Sequence, residues 1–591
     1  MSKTRKPYHK KSNILIPGYP TYISNLLGNR GITTKEEADF YFNAGYDDLL
    51  DPLTAKGIPE AALLAKEEIE KNTLIAIFGD YDCDGITSTK VAEEGLTRCG
   101  AKVITRLPCR IKEGYGISLN AVKELIQKGV GLIITVDNGI KALDEIKYAI
   151  ERGVKVIVLD HHTVGDTLPC ANVVVDLHRK DETFGYKDLA GVGVAFLFIR
   201  ALYKFCNIDD EECKKLLDLV AIGTVADCMP LTGENRIIVK EGLKLLNSKD
   251  YNRPGIAHII RTNFLSGHVL ASSIGFVIGP VLNAPGRLLQ KGADNSLEVL
   301  SDNSEIAIAA ASFAMDVNSE RKYLQTEGVT AAKEYIKDNK LENDKVFVLN
   351  LPNQPEGIVG LISSRIKELY YKPTIVFTDG MNGILKGSAR SIDDVNLLEL
   401  ITSCGGLFTR YGGHKQAAGM SIDLNNFALL REGINIYAND NLEENLFERD
   451  EYYEIEVTED EITSSFMEKL AMLEPCGMGN PAPIVKVKEF TLVKQKLKNQ
   501  SFGKFEVIGE DNIKLLGNNM TAMCWQMLKD YNELNNPNVL NIYGTLNYSY
   551  EYGIENVQIS SNYFDIPPIE TNFGKTDNDL LGQLSDLAAL L

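Results

Sequence analysis

Leu74-Ile75-Ala76-Ile77-Phe78-Gly79-Asp80-Tyr81-Asp82-Cys83-Asp84-Gly85 is the stretch on which the fold of this chain turns. Its unbroken apolar start predicts a strand at Leu74–Phe78 that is covered on both faces, as strands of parallel sheets are. Three carboxylates at alternate positions follow that strand at once. A D-x-D-x-D-G run also opens a calcium-binding EF-hand loop. That loop needs a bidentate Glu at its twelfth position, where this chain has Val91. A strand also stands where the EF-hand would need an entering helix. What remains is a row of acids at the carboxyl end of a buried strand.

Outward from this stretch the pattern alternates. It predicts a helix at Thr87–Gly95, a strand at Lys102–Thr105, a helix at Asn120–Gln127 and a strand at Leu132–Val136. A helix at Leu143–Glu151 and a strand at Val154–Leu159 follow. Strands separated by helices imply right-handed βαβ units and a parallel sheet, so the fold class is α/β. Residues 30–70, 189–250 and 296–338 read as helical, the last as a long connector. A second α/β unit begins at Val346–Leu349 and runs through a helix at Gly360–Leu369 and a strand at Thr374–Phe377. After residue 450 short strands are expected at Tyr453–Val457, Ile484–Val487, Phe490–Val493, Phe505–Ile508, Val539–Leu546 and Val557–Ser560, the texture of a small OB-like barrel. The expected division is a helical segment over 1–70, the first α/β domain over 71–235, and a helical region with connector over 236–340. The second α/β domain takes 341–440, the barrel 450–565, and a flexible tail 566–591. The leucines of that tail, from Leu580 to Leu590, fit a partner-binding helix or a frayed end.

A chain of 591 residues with 44% hydrophobic and 24% charged content reads as a multidomain globular protein. Apolar runs such as Leu132–Val136 are too short to span a membrane. The basic start (Lys3, Arg5, Lys6, Lys10, Lys11) is followed by no apolar stretch of signal-peptide type, and the ten cysteines form no C-x-x-C pair. Both point to a reducing cytoplasm. A net charge of −19 counts against a nucleic-acid partner, unless bound divalent cations reverse the field in one cleft.

Two further predicted strands also end in polar clusters: Val136 leads into Asp137-Asn138-Gly139, and Leu159 into Asp160-His161-His162. Asp227 follows an apolar helix expected at Leu216–Thr224. Singly, an Asp-Asn-Gly is a turn and an Asp-His-His a helix cap or surface sequence. Together these carboxylates and imidazoles would meet beyond the carboxyl ends of one sheet, where they would repel one another if left empty. Divalent cations relieve that repulsion, and a mixed carboxylate and imidazole set suits Mn²⁺ or Mg²⁺. Two such ions can activate water and stabilise both oxygens of a phosphodiester displacement.

In order, Asp82-x-Asp84, Asp137-Asn138, Asp160-His161-His162 and Ala226-Asp227 resemble the four motifs of the DHH phosphoesterases. The resemblance implies a catalytic set of Asp82, Asp84, Asp137, His161, His162 and Asp227. In it Asp137 bridges two ions, Asp84, His161 and Asp227 hold one, Asp82 with Asp80 holds the other, and His162 faces the scissile phosphate. Phe78 stands where many relatives place a metal-binding His, which removes one imidazole. Gly387-Ser388-Ala389-Arg390-Ser391 and Gly412-Gly413-His414-Lys415-Gln416-Ala417-Ala418-Gly419 resemble the second, DHHA1 domain of these enzymes. There Ser388, Arg390 and His414 would bind substrate.

Three more segments resemble the RecJ exonucleases within the family. Leu107-Pro108-Cys109-Arg110 with Glu113-Gly114-Tyr115-Gly116 makes Arg110 a phosphate contact. Asn283-Ala284-Pro285-Gly286-Arg287 adds Asn283 and Arg287, with Pro285 in place of the usual Ala. Glu474–Pro481 resembles the turn that opens the RecJ OB domain. Beyond it, Lys486, Lys488, Lys494, Lys496, Lys498 and Lys504 with Phe490, Phe502 and Phe505 fit either a groove for a single strand or solvated strand faces. The RecJ resemblance implies a 5′-to-3′ exonuclease on single-stranded DNA that releases 5′-mononucleotides in repair and recombination. It also implies a monomer with single-strand-binding protein and a helicase as candidate partners. An oligonucleotide or cyclic-dinucleotide phosphodiesterase is the second reading, disfavoured by the span beyond residue 450. A non-catalytic DNA-bound scaffold is the third, disfavoured by the retained ligands.

Overall fold

The computed structural model describes residues 7–110, 112–496, 502–509, 511–535, 537–551 and 554–567. Lys498, the flexible-tail expectation beyond residue 567 and the leucine pattern within it lie outside the described residues, as do the side chains of Lys496 and Phe502.

A five-stranded, all-parallel sheet carries the residues singled out above. Its order is Lys102–Arg106, Leu74–Phe78, Leu132–Val136, Lys155–Asp160, Val173–Asp176. Leu132–Val136 is buried throughout, as a run covered on both faces must be. Sequence pattern misses the last strand, because only four residues of it pair and a long loop precedes them. The chain passes from Leu74–Phe78 to one edge of the sheet and from Leu132–Val136 to the other, so the strand order reverses between these two, and ligands of such sheets bind in the crevice at that switch point. Asp80, Asp82 and Asp137 lie just beyond the two strands that bound it.

The helix expected at Thr87 begins four residues earlier, at Cys83, and runs to Arg98. Asp82 is its N-cap and accepts the Gly85 N–H at 3.1 Å, so the acidic run belongs to the helix start and not to a loop. Gly85 cannot be replaced there: a Cβ would come within 2.6 Å of the Asp80 backbone. Asn283–Arg287 lies within a helix, Gly279–Leu288. Pro285 sits inside that helix, and a π-helical turn at Ile274–Ile278 precedes it. Helix Ser304–Asp338, about 50 Å long, runs on to a mixed sheet ordered Phe408–Gly413, Ala417–Asp423, Ile384–Arg390, Thr374–Asp379, Phe347–Asn350.

By compactness the chain divides into two units. The first comprises residues 34–451 and 473–482, and the second comprises 7–33, 452–472 and 483 onward. In the second, seven strands form one OB-like sheet: Ile455–Thr458, Val485–Thr491, Val539–Glu551, Ile554–Asp565, Met520–Cys524, Asn512–Leu516, Phe505–Ile508. The two strands expected at Ile484–Val487 and Phe490–Val493 are one, with a register shift between Val487 and Phe490. That shift turns Phe490 fully into the core, so it offers no ring to a bound strand. Phe505 packs on Tyr531, and Lys486 and Lys488 both pair with Glu456. Residues 7–33 belong to this unit through Tyr8–His9, parallel to Tyr452–Tyr453, whereas the helices of 35–70 pack in the first. The Glu474–Pro481 turn lies in the first unit. There Arg236, stacked 3.7 Å from the Tyr41 ring, donates to the Leu473, Glu474 and Pro475 carbonyls. Such long-range pairings leave no local trace in sequence. No helix among the described residues is long and apolar enough to cross a membrane.

Candidate metal centre

Asp137 occupies the middle of the crevice. It adopts a left-handed backbone (φ 60°), a conformation that concentrates at functional sites when held by a non-glycine residue. The turn is fixed by Asn138, whose amide donates to the Phe78 and Val136 carbonyls. Gly191 makes room for it, since a Cβ there would stand 2.5 Å from the Asp137 Cβ.

Three overlapping groups have ligand atoms within 4.8 Å of one another: Asp84, His161 and Asp227; Asp80, Asp82 and Asp137; and Asp137, His161 and His162. His161 Nε2 lies 3.1 Å from Asp137 and 3.7 Å from both Asp84 and Asp227. Asp84 is seated on the start of helix Gly191–Cys206, accepting the Gly191 and Val192 N–H groups at 2.7 and 2.9 Å. Asp227 ends helix Leu217–Ala226 as its C-cap. Asp160 does not point at the crevice. It accepts the N–H groups of Ile140, His161 and His162 and holds His162 Nδ1 at 2.8 Å. Phe78 is buried in the apolar layer under the sheet and supplies nothing to the site.

The electrostatics are those of a crowded acidic cavity. Burial and the charge of Asp82 push the Asp84 carboxyl up to about 7. Burial, then Asp84 and Asp82, push Asp227 up to about 9. Asp137 rises well above the carboxylate range through burial and its four acidic neighbours, and Asp80 through burial and Asp82. Burial pushes His161 down to about 4, so its imidazole is neutral and free to act as a ligand. Burial would lower His162 too, but its bond to Asp160 together with the charges of Asp160, Asp84 and Asp82 outweighs this and raises it. One Asp80 oxygen is buried without a hydrogen-bond partner. An orphaned carboxylate oxygen and convergent hard donors fit divalent cations.

Beside this acidic centre stands its electrostatic opposite. Arg287, in the last turn of Gly279–Leu288, is pushed down to about 10 by burial and by the nearby charges of Arg110, Arg321 and Arg390. None of these four guanidiniums forms an ion pair among the described residues. Arg110 lies over the Tyr81 ring at 5.1 Å, and Arg390 donates to Ser388 Oγ and the Ala389 carbonyl. Arg321 donates to Asn318 and Gln325. Asn283 accepts the Cys83 N–H at 2.9 Å, so its carbonyl is committed to the metal-side helix. His414 is exposed in the turn after Phe408–Gly413, three residues before Ala417, the register partner of Arg390. Sequence reasoning passes over Arg321, which looks like any charged residue of a long helix. It also passes over the Tyr115 hydroxyl, 3.1 Å from the Asp137 carbonyl and 3.0 Å from His162.

Family models match three stretches: the DHH family N-terminal domain at residues 74–224, the DHHA1 domain at 343–440 and the RecJ OB domain at 453–562. The single-stranded-DNA-specific exonuclease RecJ of Dickeya dadantii is 32% identical over 84% of this chain and 86% of its own length. That of Bacillus subtilis is 37% identical over 80% of this chain, which spans 59% of the relative's length. The crystal structure of RecJ from Thermus thermophilus in complex with Mn²⁺ superposes with a TM-score of 0.76 at 28% identity, covering 93% of this chain and 76% of that one. The chain belongs to the RecJ family of single-stranded-DNA-specific exonucleases.

Proposed function

We propose that this chain is a metal-dependent exonuclease that hydrolyses single-stranded DNA from the 5′ end and releases 5′-mononucleotides. The observation that carries the reading is Asp137, which groups with Asp80 and Asp82 on one side and lies 3.1 Å from His161 of the Asp84–His161–Asp227 group on the other, in an acidic centre whose Asp80 and Asp82 feel the charges of Arg110 and Arg287. Asp84, His161 and Asp227 would hold one divalent cation and Asp80 and Asp82 a second, with Asp137 common to both. Mn²⁺ or Mg²⁺ bound there lowers the pKa of water and offsets the charge that builds on a phosphodiester. The relative crystallised with Mn²⁺ supports this choice of ion.

The remaining steps belong to side chains of this chain. Asp160 fixes Nδ1 of His162, which leaves the other ring nitrogen to meet the scissile phosphate. Burial keeps His161 neutral and available as a ligand. Arg110, Arg287 and Arg390, with Ser388 and His414, would grip the phosphate at the strand's end. A guanidinium without a carboxylate partner gains most from a phosphate, through paired charge-assisted hydrogen bonds. The enzyme would act in the cytoplasm as a monomer, in repair and recombination, with single-strand-binding protein and a helicase as partners. The curated relatives named single-stranded-DNA-specific exonucleases support the substrate.

The test is digestion of single strands labelled at the 5′ or 3′ end, with Mn²⁺ present. Mononucleotides released from the 5′ label first are expected. Consumption from the 3′ end alone, or dinucleotide products alone, would sink the reading.

A further inference from the structure

One wall of the acidic crevice is used by the chemistry above only at its far end. The π-helical turn Ile274–Ile278 leads without a break into helix Gly279–Leu288, and the two form one rod. Near its start, a Cβ on Gly279 would stand 3.2 Å from the Cβ of Ala226, the residue before Asp227. Near its end, a Cβ on Gly286 would stand 2.9 Å from the Tyr81 carbonyl oxygen, between Asp80 and Asp82. Between these points Asn283 accepts the Cys83 N–H at 2.9 Å. The rod therefore runs from the Asp227 side of the metal centre to the Asp82 side.

A single stripe of the rod is open. From Ile278 to Gly286 every residue is buried except Pro280 and Asn283. Those two belong to the row Phe276, Pro280, Asn283, Arg287, whose spacings of four, three and four put it on one helix face. Phe276 heads the row and is 79% exposed, held out in solvent between the fully buried Ile274 and Ile278. A lone exposed phenyl ring is ordinary. This one shares its stripe with Arg287, and it is carried by a π-turn, a departure from α-helical geometry that is frequent at functional sites.

Distances along the rod give the ring its place. At ~1.5 Å per residue, Asn283 stands about 6 Å from Arg287, and Phe276 about 10 Å further on. A strand with its terminal phosphate at Arg287 and its scissile phosphate at the metals beside Asn283 brings its next bases to Phe276. With stacked nucleotides ~3.4 Å apart, that is about two to four nucleotides past the cut.

We propose that Phe276 is a stacking platform for the single strand, taking the base of one nucleotide on the 3′ side of the scissile phosphate. Every base has a π-face, so a phenyl ring there accepts any sequence. An exonuclease that removes each nucleotide in turn needs a contact of that kind.

The inference rests on the 5′-exonuclease reading, and release of the first nucleotide from 5′-phosphorylated oligonucleotides with Mn²⁺ separates the two. Wild-type release from the 3′ end alone sinks that reading and the inference with it. With 5′ release intact, Phe276→Ala should raise KM by about fivefold or more, the loss of one stacked base, and leave kcat and Tm unchanged. Phe276→Trp should keep the wild-type KM, whereas Phe276→Leu, apolar but not flat, should resemble Phe276→Ala. An abasic site moved along the strand should raise the wild-type KM at one position, about two to four nucleotides past the cut. At that position it should have no further effect in Phe276→Ala. A KM for Phe276→Ala within about twofold of wild type overturns the proposal, because a stacked base is worth more than that. Full rescue by Phe276→Leu overturns it, and so does an abasic effect that is the same in Phe276→Ala as in wild type at every position.

Discussion

The carboxylates around Asp137 and the guanidiniums around Arg287 are two partly buried crowds, each of one sign, that feel each other's charge through Asp82 on Arg287 and Arg110 on Asp80. They differ in how each relieves its repulsion. The acids do so by holding protons, with Asp84 pushed up to about 7 and Asp227 to about 9. Arg287 falls only to about 10 and stays charged at any physiological pH. The acidic cluster is therefore a site whose charge is set by pH and cations together, whereas the basic cluster is a permanent receptor for an anion. In a chain of net charge −19, the second is what makes a polyanionic substrate physically reasonable.

The comparison breaks most sharply at Asp137. Asp137→Asn keeps the side-chain shape and tolerates the left-handed backbone, so the fold should survive. Turnover should fall by more than the ~100-fold seen when outer partners of a metal are removed, because this residue serves both ligand groups. Single-turnover digestion with excess Mn²⁺ measures it, and activity within a few-fold of wild type would refute the sharing of Asp137. Arg287→Met should cut kcat/KM about 10- to 100-fold, the value of a charge-assisted bond to phosphate. It should also reduce the salt slope of DNA binding by about one. Since Arg287 is buried among like charges, the same change should leave Tm unchanged or higher. A fall of several degrees would mean that the guanidinium is structural.

The pH dependence of stability sharpens the contrast further. A carboxyl raised in the folded state stabilises fully below its unfolded value near 4, and that contribution is lost as pH rises through the folded value. For Asp84 the loss is complete near pH 7 and for Asp227 near pH 9. His161, pushed down to about 4, works in the opposite sense below its unfolded value of about 6.5, so the clean window is about pH 7 to 9. In a chelator, Tm should fall across that window by a few degrees. Mn²⁺ should flatten or reverse the slope, because the ion binds the ionised carboxyls. Arg287 adds no slope there, as its titration lies higher. A Tm that is flat in chelator would remove the crowded-acid account.

How much of this is legible in the sequence follows from what kind of fact each residue expresses. Leu74–Phe78 and Leu132–Val136 are plain because a strand covered on both faces is apolar at every position. The acids after them are plain because position at a strand end is itself sequential. The start of helix Cys83–Arg98 is misplaced by pattern because Asp82 reads as a ligand and not also as a cap. Phe490 is misjudged because a shift of register beside Glu489 turns the side chain to the other face, and period-two reasoning has no way to see it. Val173–Asp176, the pairing of Tyr8–His9 with Tyr452–Tyr453, and the approach of Arg321 to Arg287 all depend on partners far away in sequence.

The smallest effect is expected in the second unit, at the two cations that are paired with Glu456. Lys488 lies 3.1 Å from Glu456, which also takes Lys486 at 2.7 Å, and both partners of the Lys488 pair are well exposed. An exposed pair of this kind contributes about 0–1 kcal/mol, and its ammonium is already engaged. Lys488→Gln should therefore weaken single-strand binding less than about threefold, against the larger loss at Arg287. Glu456→Gln, which frees both lysines without moving the backbone, should strengthen binding at low salt and lose that gain as salt screens it. Fluorescence anisotropy with a labelled oligonucleotide at two salt concentrations measures both. If Lys488→Gln weakened binding as much as Arg287→Met, the distinction between paired and unpaired cations would fail as a guide to where this chain holds DNA.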